Sequence, residues 1–233
     1  SYKDLAIHYL GSGNFSEAIK QFQKVIDITP QNSAAYSNLG VAYLYDAQND
    51  RAREMFVKSM SMEKNSAAAN NLAYIYFTEG KYKQAAEMYE VVLQDYANRY
   101  TYWGNLAVAY EYSGQKEKSQ KAYLTAIDKA RSQLEVNPND AEVLADLGAY
   151  YSDVQDKTRS LEFMNRALDI DSNSITVRER AVSTFENLGM REEALRWLDA
   201  SIIANIEAQP ELESLIQDPR FQEFKQNAIK TGQ

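Results

Sequence analysis

Apolar residues recur along the chain at helical spacing, in blocks that themselves repeat. The first block is Leu5-Ala6-Ile7-His8-Tyr9. The same five places are filled by Leu39-Gly40-Val41-Ala42-Tyr43, Leu72-Ala73-Tyr74-Ile75-Tyr76, Leu106-Ala107-Val108-Ala109-Tyr110 and Leu147-Gly148-Ala149-Tyr150-Tyr151. The closing Tyr falls at 9, 43, 76, 110 and 151, giving intervals of 34, 33, 34 and 41 residues. Nine residues after each Tyr stands a small side chain (Ala18, Ala52, Ala85, Ser119, Ser160), and four further on a large one (Phe22, Phe56, Tyr89, Tyr123, Met164). Residues three or four apart share one face of an α-helix. Each block therefore predicts one helix, and each small–large pair a second helix packed on it. Gly13, Gly80 and Gly114 lie between the two, where the chain must reverse. A weaker sixth copy keeps Ala181, Phe185, Gly189, Ala194 and Leu198, with Phe185 34 residues after Tyr151.

One such helix pair is too small to bury its own apolar face, so at least about three must stack. The expected repeats run approximately 1–31, 32–65, 66–98, 99–139, 140–173 and 174–206, followed by capping helices over 207–233. Asn32, Asn65, Asp140 and Ser174 precede first helices and read as N-caps. In the fourth copy the apolar pattern runs on through Leu134 to Val136. Its seven extra residues amount to two turns, about 10 Å, and predict one protruding helix from Lys116 to Val136. Beyond the sixth copy, a short helix is expected over 210–217. Asp218-Pro219 starts another, with Leu212, Leu215, Ile216, Phe221 and Phe224 as the apolar face that covers the last repeat.

These spacings resemble the tetratricopeptide repeat, whose 34-residue pattern runs W-x2-L-G-x2-Y, then A-x3-F, then P. Trp103-Gly104-Asn105-Leu106-Ala107-Val108-Ala109-Tyr110 carries its first part, Tyr2 and Tyr36 stand in the Trp place of earlier copies, and Pro30 closes the first. The second and third copies end without Pro, at Lys64 and Ala97. The resemblance covers residues 1 to about 206. It implies an all-α, right-handed superhelical solenoid of antiparallel helix pairs, about six repeats, whose first helices line a concave groove. The string Asp218-Pro219-Arg220-Phe221 looks like the ends of such repeat regions in bacterial multidomain regulators. A start at Ser1 without Met, opening directly into a helix, suggests a piece of a longer protein.

Just before the Leu of each copy stand Asp4, Asn38, Asn71, Asn105 and Asp146, and in the weak sixth copy Arg180 stands before Ala181. Three Asn in register form a ladder with one amide per repeat. An amide offers donors and an acceptor that match a peptide backbone, an arrangement similar to the asparagine ladders of O-GlcNAc transferase and kinesin light chain. Tyr45, Tyr74, Phe77 and Tyr112 fall on the same helical face and would supply apolar contact. With Asp146 these are the candidate peptide-binding residues. A chaperone-tail clamp of the kind some family members build is not expected, because Ser37, Asn38, Ala67, Asn70 and Asn71 stand where its basic residues would be needed.

Composition narrows the chemistry. The 233 residues include no Cys and one His, which removes disulfides, thiolate nucleophiles and any site needing two His. Zero Cys fits the cytoplasm and also a bacterial periplasm. No apolar run is long enough to cross a membrane, and a net charge of −8 argues against a nucleic-acid surface. Residues 1–116 hold 11 basic and 12 acidic side chains, and residues 117–233 hold 14 and 21. The acidic second half, with Glu142, Asp146, Asp153, Glu179 and Glu186, is where a basic partner segment would dock. Asp169-x-Asp171-x-Asn173 opens like a calcium loop, then lacks its Gly and carries Arg180 at the twelfth place. Asn14-Phe15-Ser16 fits a glycosylation triplet, and no phosphate loop or cofactor motif is found. The reading is a non-enzymatic module that binds a protein or peptide segment in the groove, centred on repeats two to four. The alternative is a regulatory or self-association module of a larger signalling enzyme, acting through its convex face or ends.

Overall fold

A computed structural model describes residues 1–231 of the chain. Seven helices lead into the middle of the sequence: α1 (Tyr2–Gly11), α2 (Phe15–Ile28), α3 (Ser33–Tyr45), α4 (Asn49–Met62), α5 (Ser66–Thr78), α6 (Tyr82–Tyr96) and α7 (Tyr100–Tyr112). Then follow α8 (Lys116–Val136), α9 (Ala141–Asp153), α10 (Lys157–Asp171), α11 (Ile175–Asn187) and α12 (Arg191–Arg196). The chain finishes with α13 (Ile203–Glu207), α14 (Glu213–Ile216) and α15 (Pro219–Thr231), and the described residues contain no strand. Contacts divide the chain into two compact units, Ser1–Ser119 and Gln120 onward, with the division inside α8.

The repeat length is written into the turns. After α1, the N–H of Gly13 donates to the Leu10 carbonyl at 3.2 Å and that of Asn14 to the Tyr9 carbonyl at 2.9 Å. This pair of bonds is the Schellman motif, and it needs a left-handed residue at its centre. The motif recurs with the closing aromatic of every block as acceptor: Gln48 to Tyr43, Lys81 to Tyr76, Gln115 to Tyr110, Asp156 to Tyr151 and Met190 to Phe185. The left-handed residue is Gly13, Gly80, Gly114 or Gly189, at φ of 70–78°, but Ala47 and Gln155 in the second and fifth copies. First helices start as expected. The side chains of Asn32, Asn65, Asp140 and Ser174 accept the N–H three residues on, at 3.0–3.4 Å.

In the first unit, Ala6, Ala18, Phe22 and Ile26 are buried with Ala35, Leu39 and Ala42 of the next repeat, and Ala52 and Phe56 with Ala68, Leu72 and Ile75 of the one after. Each cluster thus joins a pair to its neighbour, which is why no pair stands alone. Ala18, Ala52 and Ala85 are fully buried and keep paired helices close. Gly40 lies so near Phe56 that an added Cβ would sit 2.7 Å from the ring. Burying one Phe of this kind is worth about 1.5–3 kcal/mol.

In the second unit one cluster runs from Leu144 and Met164 through Phe185 to Ile202, Ile206, Leu212, Leu215 and Phe221. The C-terminal segments therefore share a core with the last repeats. Ion pairs tie the same region: Arg191 holds Glu186, Arg220 holds Asp218 at 2.8 Å, and Lys225 holds Glu207. Two details differ from expectation. The sixth copy's second helix stops at Arg196, so Leu198 lies outside it. Asp199 ends the run by accepting the Ser201 N–H at 2.9 Å and pairing with Arg178 at 2.7 Å, which starts a 3-10 turn over Ala200–Ile202. The stretch expected as one helix over 210–217 splits into a 3-10 turn, Pro210–Leu212, and α14. The long α8 has the expected bounds. In its added turns Leu134 packs against the second unit's core, while Val136 is 88% exposed.

Candidate functional site

Three successive first helices of the first unit, α3, α5 and α7, present matching faces. One side of each is buried: Leu39 and Ala42, Leu72 and Ile75, Leu106 and Ala109. The other carries Asn38, Val41 and Tyr45 on α3, Asn71, Tyr74 and Thr78 on α5, and Asn105, Val108 and Tyr112 on α7, each set following the helical repeat. Asn38 and Asn71 are half-buried and Asn105 is exposed. None of the three amides takes part in a hydrogen bond among the described residues. Each keeps two donor hydrogens and a carbonyl for an outside group. Lateral reach at this register is demonstrated inside the second unit, where Arg180 stands at the same place one repeat after Asp146 and donates to its carboxylate at 2.6 Å.

The aromatic candidates separate into two kinds. Tyr74 is 56% exposed, one turn from Asn71, with no ring against it among the described residues. Tyr45 is 64% exposed but stacks one face on Phe15, with centroids 5.5 Å apart. Phe77 and Tyr112 belong to a cluster with Tyr82: Phe77 meets Tyr112 edge-on at 5.6 Å and Tyr82 at 5.1 Å, and Tyr82 lies 4.9 Å from Tyr112. Phe15 and Tyr82 open α2 and α6, while Tyr45 and Tyr112 close α3 and α7. The same ring contact thus occurs twice in one register, at the helix ends beside the turns. These rings have internal partners that Tyr74 does not.

Asp146 has a different environment from the one expected of it. It is buried and held by Arg180 within the second unit, beside Tyr150. Burial, reinforced by the charge of Asp146, pushes the Tyr150 hydroxyl well above the ordinary tyrosine range. Much of the acidic stretch is likewise engaged internally. Glu179 accepts from Asn205, Glu186 from Arg191, and Asp153 from Asn187 at 3.0 Å, whereas Glu142 is exposed. Asp171 accepts the N–H groups of Asn173 and Ser174 at 3.1 and 3.0 Å, a turn in place of a calcium loop. Asn14 caps α2 by accepting the Glu17 N–H at 3.3 Å. A concavity of about 240 Å³ lies in the second unit among Arg131, Leu134, Glu135, Pro138, Phe163 and Arg166. There Arg166 lies over the Phe163 ring and donates to the Pro138 carbonyl at 3.4 Å.

The periodic turns, the paired helices and the aligned first-helix faces are matched by family comparisons. A model described as TPR repeat matches residues 9–45, and models described as tetratricopeptide repeat match residues 66–98 and 100–131. Within residues 9–131 the chain carries repeats of this kind. Repeats of this family make protein-interaction modules. Among solved structures, the chain is similar to a MamA RS-1 ArsTM double mutant, with a TM-score of 0.60 at 18% identity, covering 72% of this chain and 92% of that one. MamA 41-end from Desulfovibrio magneticus RS-1 gives a TM-score of 0.59 at 19% identity over 72% and 92%. MamA AMB-1 gives 0.54 at 21% over 74% and 91%. At these identities the likeness concerns the fold. No curated protein sequence matches the chain significantly.

Two functional details were not drawn from the repeats' sequence. Phe15 as the platform of Tyr45 follows from its place six residues after Tyr9, the place that Tyr82 holds after Tyr76. The Asp146–Arg180 pair is signalled by opposite charges at one repeat position in adjacent copies.

Proposed function

We propose that the first unit is a non-catalytic binding module whose tetratricopeptide first helices receive an extended peptide segment. The supporting observation is the row of three amides, Asn38, Asn71 and Asn105, in one register on an open face and free of internal hydrogen bonds. They would hold the segment's backbone N–H and C=O groups. Tyr74 would make the central apolar contact, with the rings of Tyr45, Phe77 and Tyr112 along the turn edge. Asp146 is assigned a structural role in the second unit on account of its pairing with Arg180.

The test uses a displayed library of random dodecapeptides selected on the full chain, with affinities of enriched peptides measured by calorimetry. A net hydrogen bond is worth about 0.5–1.5 kcal/mol. Asn71→Ala and Asn105→Ala should therefore each weaken binding about threefold to tenfold, with helicity unchanged by circular dichroism. Unchanged affinity in a folded double variant would remove the ladder from the binding account.

A further inference from the structure

The three helices that carry the amide row are almost devoid of charge. Each of α3, α5 and α7 has 13 residues, and Glu111 near the end of α7 is the only carboxylate or cation among them. The corresponding helices of the second unit differ sharply. Helix α9 carries Glu142, Asp146 and Asp153, and α11 carries Arg178, Glu179, Arg180 and Glu186. Several charges in the helices and turns next to α3, α5 and α7 are engaged with one another. Arg53 pairs with Glu79 and Asp50, Lys81 with Glu79, and Lys64 with Asp95. Burial of this face is not the reason for its neutrality, since Tyr74 and Tyr45 are more than half exposed and Asn105 is open.

We infer that the segment this face receives is itself uncharged, alternating apolar with small or amide side chains; this rests on the groove reading above. A charged side chain laid over Asn38, Asn71 and Asn105 loses water and finds no opposite charge, which costs more than an amide returns. Val41, Tyr74 and Val108 stand one turn after the amides and give an apolar side chain a place beside them. An extended strand turns alternate residues to opposite sides, so one side chain in two would meet this row.

The dodecapeptide selection decides the matter when run in parallel on the wild type and on Asn71→Ala. Asn105→Ala serves as a second variant, and circular dichroism checks both folds. Peptides that depend on Asn71 or Asn105 should be depleted of Asp, Glu, Lys and Arg across their central six positions. Their dissociation constants should change less than about twofold between low and 0.5 M salt, since only charge–charge attraction is screened. Placing one Asp or Lys at the centre of such a peptide should weaken it about tenfold or more. Asn-dependent peptides rich in charge, or losing affinity steeply with salt, would overturn this inference and leave the groove reading standing. Enrichment that ignores both Asn variants would overturn both.

Discussion

Ala47 and Gln155 hold the left-handed turn position, at φ of 57° and 63°, that glycine holds in four other copies. The hydrogen bonds around them match those around the glycines, so their cost lies in the backbone alone. A left-handed L-residue costs about 1–2 kcal/mol, partly offset by glycine's greater freedom when unfolded. Ala47→Gly and Gln155→Gly should each stabilise the protein by about 0.5–1 kcal/mol, read as a higher urea midpoint with unchanged slope. Gly13→Ala should move the other way by a similar amount, since an added Cβ there meets nothing within 4 Å and only φ resists it. Gly40 is the opposite case, an ordinary helical residue with no room. Gly40→Ala would drive a Cβ to 2.7 Å from the fully buried Phe56 ring and should destabilise by about 1–3 kcal/mol. The two kinds of glycine look alike in the sequence, and only their place in the repeat separates turn from contact.

Helix α11 is fastened to α9 at the register that α3, α5 and α7 leave open. Arg180→Leu removes the cation paired with the Asp146 carboxylate, whose side chain is 8% exposed, and should cost about 2–4 kcal/mol. Asp146→Asn in the same chain should restore part of that, so a double-mutant cycle in chemical denaturation should show strong non-additivity. Additive losses would mean that the two side chains act separately. The helices themselves were legible because apolar spacing, caps and turn glycines all pointed one way, and the α8 extension was legible because seven residues are two whole turns. The early end of α12 was not, because it depends on Asp199 meeting Arg178 across the fold. Of the candidate site, the Asn row follows from periodicity alone. The division between exposed Tyr74 and the packed pair Phe77 and Tyr112 does not, since it is set by rings on different helices meeting at their ends.

A stacked-repeat protein is stabilised by each repeat and by its neighbour contacts, so the core of each unit defines how far a defect spreads. Phe221 is fully buried in the cluster that also holds Met164, Phe185 and Ile206. Phe221→Ala should cost about 3–5 kcal/mol, and native-state hydrogen exchange should place the loss in α9–α15, with α1–α5 amides retaining their protection. Alkali addresses both units at once. Burial holds the Tyr89 hydroxyl up at about 12. Burial also raises Tyr150, and burial with the neighbouring Glu90 raises Tyr110. Each stays protonated in the fold after the unfolded chain has begun to lose that proton near pH 10. The stabilisation is therefore complete below about pH 10 and is lost as pH rises through the folded values. Denaturant midpoints should be flat from pH 7 to 9 and fall steadily above 10. Tyr89→Phe should flatten part of that fall without shifting the neutral-pH midpoint by more than about 1 kcal/mol. An unchanged alkaline slope in Tyr89→Phe would assign the alkaline loss to other groups.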